Sequence, residues 1–442
     1  MAHRYDPYVE QEHTAFAGVG EYTDASAAAP TARRTLLGAG MATGDTCIYT
    51  AVGRNAGGSD VEGIEVGLGT KTATGLARTA VIASSNGNAA VNWATAAKVA
   101  VAITQLPGRV LTATPNANQN DYNAGGLAGL LAARSLRLDV GATMKLTGLA
   151  ATYDGHQVTI HNESSDFLLW LENENTASSA ANRFRLPGGL PAFLMPDDCI
   201  TLEYSGADSR WKVVAWPSQG QGMGLQVFTD FQDGAGGLAA TVNGTGAAVA
   251  ASTYLVGTTE RPMGAVQGTS GTTAAGRATI GHSGTDSIVP TLGAALSVAR
   301  IAAQAANSGT ETWQLISGFA DSAGGTFTDG VAWNLRWNGT TAEWSQDRLA
   351  NGTATRSVVN SPAPDTNYIW CVVFVNPAWT RADFIFSTDS VSFTKADSPT
   401  TGLPGNTRNT AWVAASLIKS VGTTARLFAA DLAGMRMDTV RA

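Results

Sequence analysis

The chain has 442 residues, of which 44% are hydrophobic and 14% are charged, and its formal net charge is −7. The hydrophobic share is enough for packed cores and excludes a disordered chain, whereas the charged share is well below the ~25% of ordinary soluble domains. No run of Lys or Arg accompanies the negative charge, and the longest apolar run, Ile369 to Val375, is too short to span a bilayer. We therefore expect neither a nucleic-acid partner nor membrane insertion.

The residues before Gly44 form a polar leader without the apolar stretch of a signal peptide, which predicts assembly in a cytoplasm. They show no strand periodicity, so we expect residues 1–43 to become ordered only on docking to a partner. Aromatic side chains are scattered through this segment, and we take them as docking candidates: Tyr5, Tyr8, Phe16 and Tyr22.

Residues 44–106 are predicted to be a small β-module. Short strand-like segments alternate with Gly-rich turns, as in Gly44–Thr50 (GDTCIYT), Glu65–Thr70 (EVGLGT) and Ala83–Gly87 (ASSNG). This stretch of sequence resembles a repeating module of tail fibres and other structural proteins of tailed bacteriophages. The resemblance implies a virion protein.

Residues 107–217 are predicted to be a central β-domain, between a joint rich in Asn, Gly and Pro and a short polar linker. Its text, such as Asp154–Asn162 (DGHQVTIHN), resembles another phage β-domain that lies between the anchor and the tip of fibres. Residues from Leu127 to Arg134 are expected to form a short helix.

Residues 222–442 are dominated by strand patterns. Trp333, Leu335 and Trp337 alternate with Asn334 and Arg336, which is typical of a half-buried strand. The continuously apolar segment from Ile369 to Val375 indicates a strand that is covered on both faces.

The text of this last region resembles the lectin-like, concanavalin-type jelly rolls that end phage structural proteins. The matching segments include Thr328–Val331 (TDGV) and Gly422–Arg426 (GTTAR). The predicted fold class is therefore all-β: a modular, fibre-like protein with small β-modules followed by a C-terminal jelly-roll β-sandwich. The order of the modules corresponds to anchor, stalk and tip.

Seven of the eleven tryptophans lie in the last region, and tryptophan faces stack on sugar rings. Most of them are expected in the core. Trp337 and Trp344 flank the Asn338-Gly339 turn, and with Asn338 and Thr340 they are the candidates for binding a carbohydrate or receptor.

Motifs of catalysis are missing from the sequence. It has no Gly-x-Ser-x-Gly elbow, no Gly-Lys phosphate loop and no clustered metal-ligand spacing, and its three cysteines are far apart. Glu343 and Asp347 flank Trp344, but we interpret them as solvated charges on a strand edge and not as an acid and base pair. We predict no catalytic residue, no metal site, no cofactor and no enzyme activity.

These inferences converge on a structural virion protein of a tailed phage, most simply a tail fibre or tail-associated receptor-binding subunit that contacts the host surface. Two alternatives remain open: a head decoration or head-fibre protein of the capsid, and a glycan-cleaving tailspike. The expected partners are further copies in a homotrimer, other virion proteins of tail, baseplate or capsid through the N-terminus, and a host-surface glycan or protein. The expected location is the virion, assembled in the host bacterial cytoplasm.

Overall fold

The computed structural model describes residues 10–23, 27–28, 35, 41–103, 109–216, 225–229, 239–252, 265–281, 293–303, 311–321, 328–359, 367–404 and 411–437. Their contacts divide the chain into two units, Met1–Ser164 with Leu169–Ser218 and Ser165–Leu168 with Gln219–Ala442. Almost all regular structure is β, which confirms the predicted fold class. The finer boundaries at 43, 106, 217 and 222 stay predictions. Within these ranges, no helix is long and apolar enough to cross a membrane.

The first unit begins with a seven-stranded antiparallel sheet in the order β2-β6-β5-β4-β7-β1-β3. Its strands are β1 (Glu10–Gly18), β2 (Tyr22–Thr23), β3 (Ala27–Ala28), β4 (Thr46–Arg54), β5 (Val61–Lys71), β6 (Gly75–Ser84) and β7 (Trp93–Ile103). The expectation that the leader is ordered only on docking is wrong for Glu10–Gly18, because β1 pairs with β7 from Glu10↔Ala102 to Gly18↔Trp93. Backbone hydrogen bonds to β7 hold β1 in place. Because these bonds do not depend on side-chain type, β1 needs no alternation of apolar residues that the sequence would show.

A buried carboxylate organises this sheet. Glu65 on β5 is fully buried and accepts hydrogen bonds from Tyr49 Oη (2.5 Å), Arg78 Nε (2.7 Å) and the backbone N–H of Val91 (2.7 Å). The Arg78 side chain is only 3% exposed, so both members of the ion pair lie inside the protein. The ion pair therefore joins β5 to β6, and the hydrogen bond from Tyr49 joins β5 to β4.

Two glycines of the EVGLGT segment make room for side chains from adjacent strands. A Cβ on Gly67 would lie 2.6 Å from Tyr49 Oη, and one on Gly69 would lie 2.7 Å from Leu76 Cγ. Real Cβ atoms do not approach other heavy atoms so closely. The EVGLGT segment thus supplies one member of the buried ion pair, Glu65, and leaves space for two neighbouring side chains.

The rest of the first unit contains a three-stranded sheet, β10-β12-β14, and a six-stranded sheet, β13-β16-β15-β11-β9-β8. A short helix, α1 (Gly126–Ala132), confirms the helix that was predicted near Leu127. The strands are β8 (Arg109–Ala113), β9 (Ala133–Leu138), β10 (Met144–Leu146), β11 (Gln157–Asn162), β12 (Leu169–Leu171), β13 (Phe184–Arg185), β14 (Ala192–Leu194), β15 (Cys199–Ser205) and β16 (Arg210–Ala215).

The second unit is a sandwich of two sheets, consistent with the predicted jelly roll. The back sheet has the order β19-β20-β31-β22-β27-β28-β29, with β17 also paired to β31, and the front sheet has the order β18-β21-β30-β23-β24-β25-β26. The strands are β17 (Leu225–Thr229), β18 (Ala239–Asn243), β19 (Ala248–Ser252), β20 (Ala265–Thr269), β21 (Arg277–Gly281), β22 (Ala295–Ala303), β23 (Thr312–Ala320), β24 (Gly330–Trp337), β25 (Ala342–Ala350), β26 (Thr353–Val359), β27 (Ile369–Val375), β28 (Ala382–Ser387), β29 (Thr394–Asp397), β30 (Ala411–Val421) and β31 (Leu427–Met437).

The two strands predicted most directly from sequence lie on opposite sides of this sandwich. Every residue of β27 is buried, as its continuous apolar run predicted. On β24, Trp333 points into the sandwich and its Nε1 donates to the carbonyl oxygens of Val372 (3.0 Å) and Ile385 (3.2 Å) on the back sheet. Both segments are strands, as predicted, but β24 is more buried than the half-buried strand that its alternation indicated. Trp333 links the two sheets.

Candidate ligand-binding site

The outer face of the front sheet carries the polar residues of β24. Because successive side chains of a strand point to opposite faces, Trp333 and Leu335 face the core while Asn334 and Arg336 face away from it. Pairing extends this outer face across six strands. One rung of neighbouring residues runs through Asn243, Arg277, Ile418, Gln314, Arg336 and Glu343.

A cleft of about 530 Å³ lies on this face. Part of its lining is apolar and comes from Ile316, Ala320, Ala332, Leu349 and Ile418, which also pack together as a small cluster. The polar part of the lining includes Arg277, Gln314, Asn334, Arg336, Asp347 and Lys419. A concave surface that combines an apolar patch with a few converging polar groups is typical of a ligand site.

Asp347 is only 5% exposed and lies on β25 between β24 and β26, so its interpretation as a solvated charge on a strand edge is wrong. It holds the polar groups in place. Its Oδ2 accepts from Asn334 Nδ2 (2.8 Å) and an Arg336 Nη (2.5 Å), and its Oδ1 accepts from Ser345 Oγ (2.8 Å) and Arg356 Nε (3.1 Å). Burial lowers the pKa of Arg336, an effect that the nearby Asp347 carboxylate opposes; the guanidinium still remains charged at neutral pH. The carboxylate therefore fixes the orientation of an amide and a cation beside the cleft.

Three polar atoms of the lining lack a hydrogen-bond partner among the residues that the structure describes. They are the acceptor Asn334 Oδ1 and the donors Arg277 Nε and Arg336 Nε, and all three are shielded from solvent. Asn334 itself is only 1% exposed. Because buried polar atoms are nearly always paired in proteins, these three atoms are candidates for pairing with a bound ligand.

The cleft is also locally positive. Its described lining contains three cations, Arg277, Arg336 and Lys419, and one anion, Asp347, which leaves a balance of +2. The whole chain has a net charge of −7. Lys419 Nζ donates to the carbonyl oxygens of Gly271 (2.8 Å) and Thr424 (2.9 Å), so backbone groups position this cation. A positive cleft on a negative chain favours an anionic ligand.

The two tryptophans that were predicted to bind a carbohydrate or receptor, Trp337 and Trp344, do not line this cleft. Trp344 is 2% exposed and its ring lies 6.1 Å from that of Trp333 inside the sandwich, so its prediction as an exposed binding residue is wrong. Trp337 is half-buried and also packs against the core. Both residues are in phase with the inner face of their strands, where the apolar area of Trp344 is buried completely and that of Trp337 in part.

Asn338 and Thr340 are exposed in the turn between β24 and β25. Asn338 Oδ1 accepts from the backbone N–H groups of Thr340 (3.0 Å) and Thr341 (2.9 Å), so this side chain shapes the turn. Neither residue lines the cleft. Their role in receptor binding stays a prediction.

The docking candidates of the leader have different outcomes. Tyr5 and Tyr8 lie outside the described residues, as does the side chain of Phe16 on β1. Tyr22 is fully buried, with its ring 5.6 Å from that of Tyr49 and beneath the Arg78 guanidinium at 5.5 Å. Its prediction as a docking residue is therefore wrong, because its ring completes the core around Glu65.

Neither a protein family nor a curated protein sequence matches this chain. Among solved structures, it is similar to a Shewanella oneidensis MR-1 protein of unknown function (14% identity, 50% of this chain and 89% of that chain, TM-score 0.36). It is also similar to peanut lectin (10% identity, 50% and 99%, TM-score 0.30). A third similar structure is the CBM2 module of the evolved Dit of Lactobacillus casei BL23 phage J-1 (11% identity, 50% and 98%, TM-score 0.31).

Proposed function

We propose that this chain is a structural virion protein of a tailed phage, a tail fibre or tail-associated receptor-binding subunit that contacts the host surface through its jelly roll. The observation that carries the proposal is the cleft on the front sheet, where Asn334 and Arg336 present buried polar atoms without partners among the described residues. The sequence resemblances of all three regions support the virion context. Attachment to other virion proteins is assigned to residues 1–43, with Tyr5, Tyr8 and Phe16 as candidates.

The proposed role is binding and not hydrolysis. Glycan cleavage generally needs two carboxyl groups, one of which must hold a proton at neutral pH. Asp347 is instead tied to two guanidinium groups, Arg336 and Arg356, and to two further donors. Such a carboxylate is suited to positioning cations beside the cleft.

Adsorption to host cells tests the proposal. Ala354 is an exposed cleft residue on β26, and Ala354→Trp should fill the cleft and lower adsorption of the purified full chain by about tenfold or more. Val358→Trp is the matched control, because Val358 is 54% exposed on the same strand and outside the cleft lining.

The same preparation should release no oligosaccharide from host envelope polysaccharide. Equal adsorption of the two variants would count against the cleft as the receptor site, and oligosaccharide release would favour the tailspike. Immunogold labelling of virions separates tail from head, and head labelling without adsorption would favour the capsid decoration protein.

We also expect the chain to assemble as a homotrimer. Only 14% of its residues are charged, and weakly charged faces can be buried against identical copies in a closed, symmetric oligomer. Light scattering of the purified chain should give three times the chain mass of 45.5 kDa. A monomeric mass at micromolar concentration would contradict this expectation.

A further inference from the structure

Two of the cleft cations lie at separate points of one rung of the front sheet. Arg277 is on β21 and Arg336 is on β24, and the intervening rung positions are Ile418 and Gln314. Adjacent strands are about 4.8 Å apart, so the two backbones are about 14 Å apart. The two arginines therefore start from separate strands, and one elongated ligand can meet each of them with a different acidic group.

The unpaired atoms specify the chemistry of such a ligand. Arg277 Nε and Arg336 Nε are donors without partners in the described ranges, and a carboxylate is a strong acceptor for a guanidinium. Asn334 Oδ1 is an acceptor that also lacks a partner in the described ranges, and it needs a donor such as a hydroxyl group. Its orientation is set, because Asn334 Nδ2 already donates to Gln314 (3.2 Å) and Asp347 (2.8 Å). The ligand must therefore carry both anionic and hydroxyl groups.

The charge and the lining of the cleft distinguish among neutral sugars, nucleic acids and acidic saccharides as ligands. Arg277 has no ion pair with any residue in the described part of the chain, so a neutral sugar would leave its charge without a counter-ion. Nucleic acid also needs aromatic faces on which its bases can stack, and Phe319 is the single aromatic among the described lining residues. Phe319 is fully buried, so it offers no exposed face on which a base could stack.

We propose that the cleft binds an acidic saccharide, a chain of carboxylate-bearing sugars in which separate carboxylates meet Arg277 and Arg336 and a hydroxyl group donates to Asn334 Oδ1. Ile316 and Ile418 supply the apolar surface beneath the sugar rings. This inference rests on the proposed function insofar as it uses the same cleft, and it adds the class of ligand.

Calorimetric titration of the full chain tests the ligand class. The probes are hexamers of galacturonate, mannuronate and α2,8-linked sialate, each alongside the same hexamer with its carboxyl groups reduced to alcohols. We expect at least one acidic hexamer to bind, to lose about tenfold or more in affinity on carboxyl reduction, and to bind more weakly as salt is raised. Failure of all three acidic hexamers, or equal affinity for the reduced forms, would overturn the proposal.

Two variants assign the binding to the cleft. Arg277→Gln should lower the affinity for the acidic hexamer by about tenfold. Lys395→Gln makes the same change of charge at an exposed position on β29, outside the cleft, and should leave the affinity unchanged. Thermal melting of both variants checks that the jelly roll remains folded. Equal affinities of the two variants would refute the site.

Parallel measurements distinguish this inference from the proposed function. If Ala354→Trp abolishes adsorption to host cells while Arg277→Gln leaves it intact, the receptor-binding function stands and the acidic ligand is wrong. If a glutamate hexapeptide binds as tightly as the acidic hexamers, the cleft selects anionic peptides and not saccharides. Saccharide binding without any host adsorption would support the ligand class and reject the receptor-binding function.

Discussion

Glu65→Ala is expected to lower the free energy of unfolding of the first unit by about 3–5 kcal/mol, because removing one partner leaves a buried charge without compensation. The charged group left without a partner is Arg78, whose side chain is 3% exposed. Tyr49 Oη and the Val91 N–H would also lose their acceptor. Hydrogen–deuterium exchange of the β4–β7 amides is the suitable measurement, because it reports on this unit within the full chain.

Glu62→Ala is the matched control. Glu62 lies on the same strand and is exposed, so its loss should change the stability by less than about 0.5 kcal/mol. Exchange rates that are the same in the two variants would show that the ion pair contributes nothing to the stability of the sheet.

The Glu65 contribution should also depend on pH. Burial by itself raises the pKa of Glu65, but hydrogen bonds from Arg78, Tyr49 and Val91 outweigh it and hold the pKa below its usual value. A lowered pKa in the folded state gives stability that is fully present above the unfolded pKa of about 4.3 and is lost as pH falls through the folded value. The stability difference between the native chain and Glu65→Ala should therefore narrow in acid.

Trp333→Ala should destabilise the jelly roll by about 3–5 kcal/mol, the usual cost of deleting a large buried aromatic side chain. Trp333 is fully buried, and its ring makes edge contacts with Trp344 at 6.1 Å and Phe384 at 5.6 Å. It also donates to two carbonyl oxygens of the back sheet. Exchange of the β24, β27 and β28 amides should accelerate together, since these strands share the side chain.

Two further substitutions serve as comparisons for the Trp333→Ala variant. Trp333→Phe keeps an aromatic ring but removes the indole N–H, and it should cost less than the alanine variant. Trp216→Ala removes a tryptophan that is 41% exposed and should have little effect on the second unit. If Trp333→Ala melts like Trp216→Ala, the two sheets are not held together through this residue.

The strands of the jelly roll were predictable, but the location of the site was not. Alternation along β24 is visible in the sequence and correctly separates Trp333 and Leu335 from Asn334 and Arg336. We predicted binding through the tryptophans because their flat faces suit sugars, yet burial of such large apolar surfaces stabilises the core more. The polar residues that alternate with these tryptophans on β24, Asn334 and Arg336, belong to the candidate site instead.

Long-range register explains why the rest of the cleft could not be predicted. Arg277 becomes a neighbour of the Arg336 region only through the pairing of β21 with β30 and of β30 with β23. No local pattern encodes which residues of distant strands share a rung. The same reason hides the network of Tyr22 and Glu65, which come together from separate strands of the first sheet.

The pairing of β1 with β7 affects how the first sheet meets other chains. Between Glu10 and Gly18, β1 occupies a side of β7 that would otherwise present a row of unpaired N–H and C=O groups. Such a row is a template for adding a strand from another molecule, and proteins cover these edges to avoid aggregation. A shortened chain that begins after residue 40 would lack this cover, so its self-association would reflect an uncovered sheet edge and would say little about attachment to the virion.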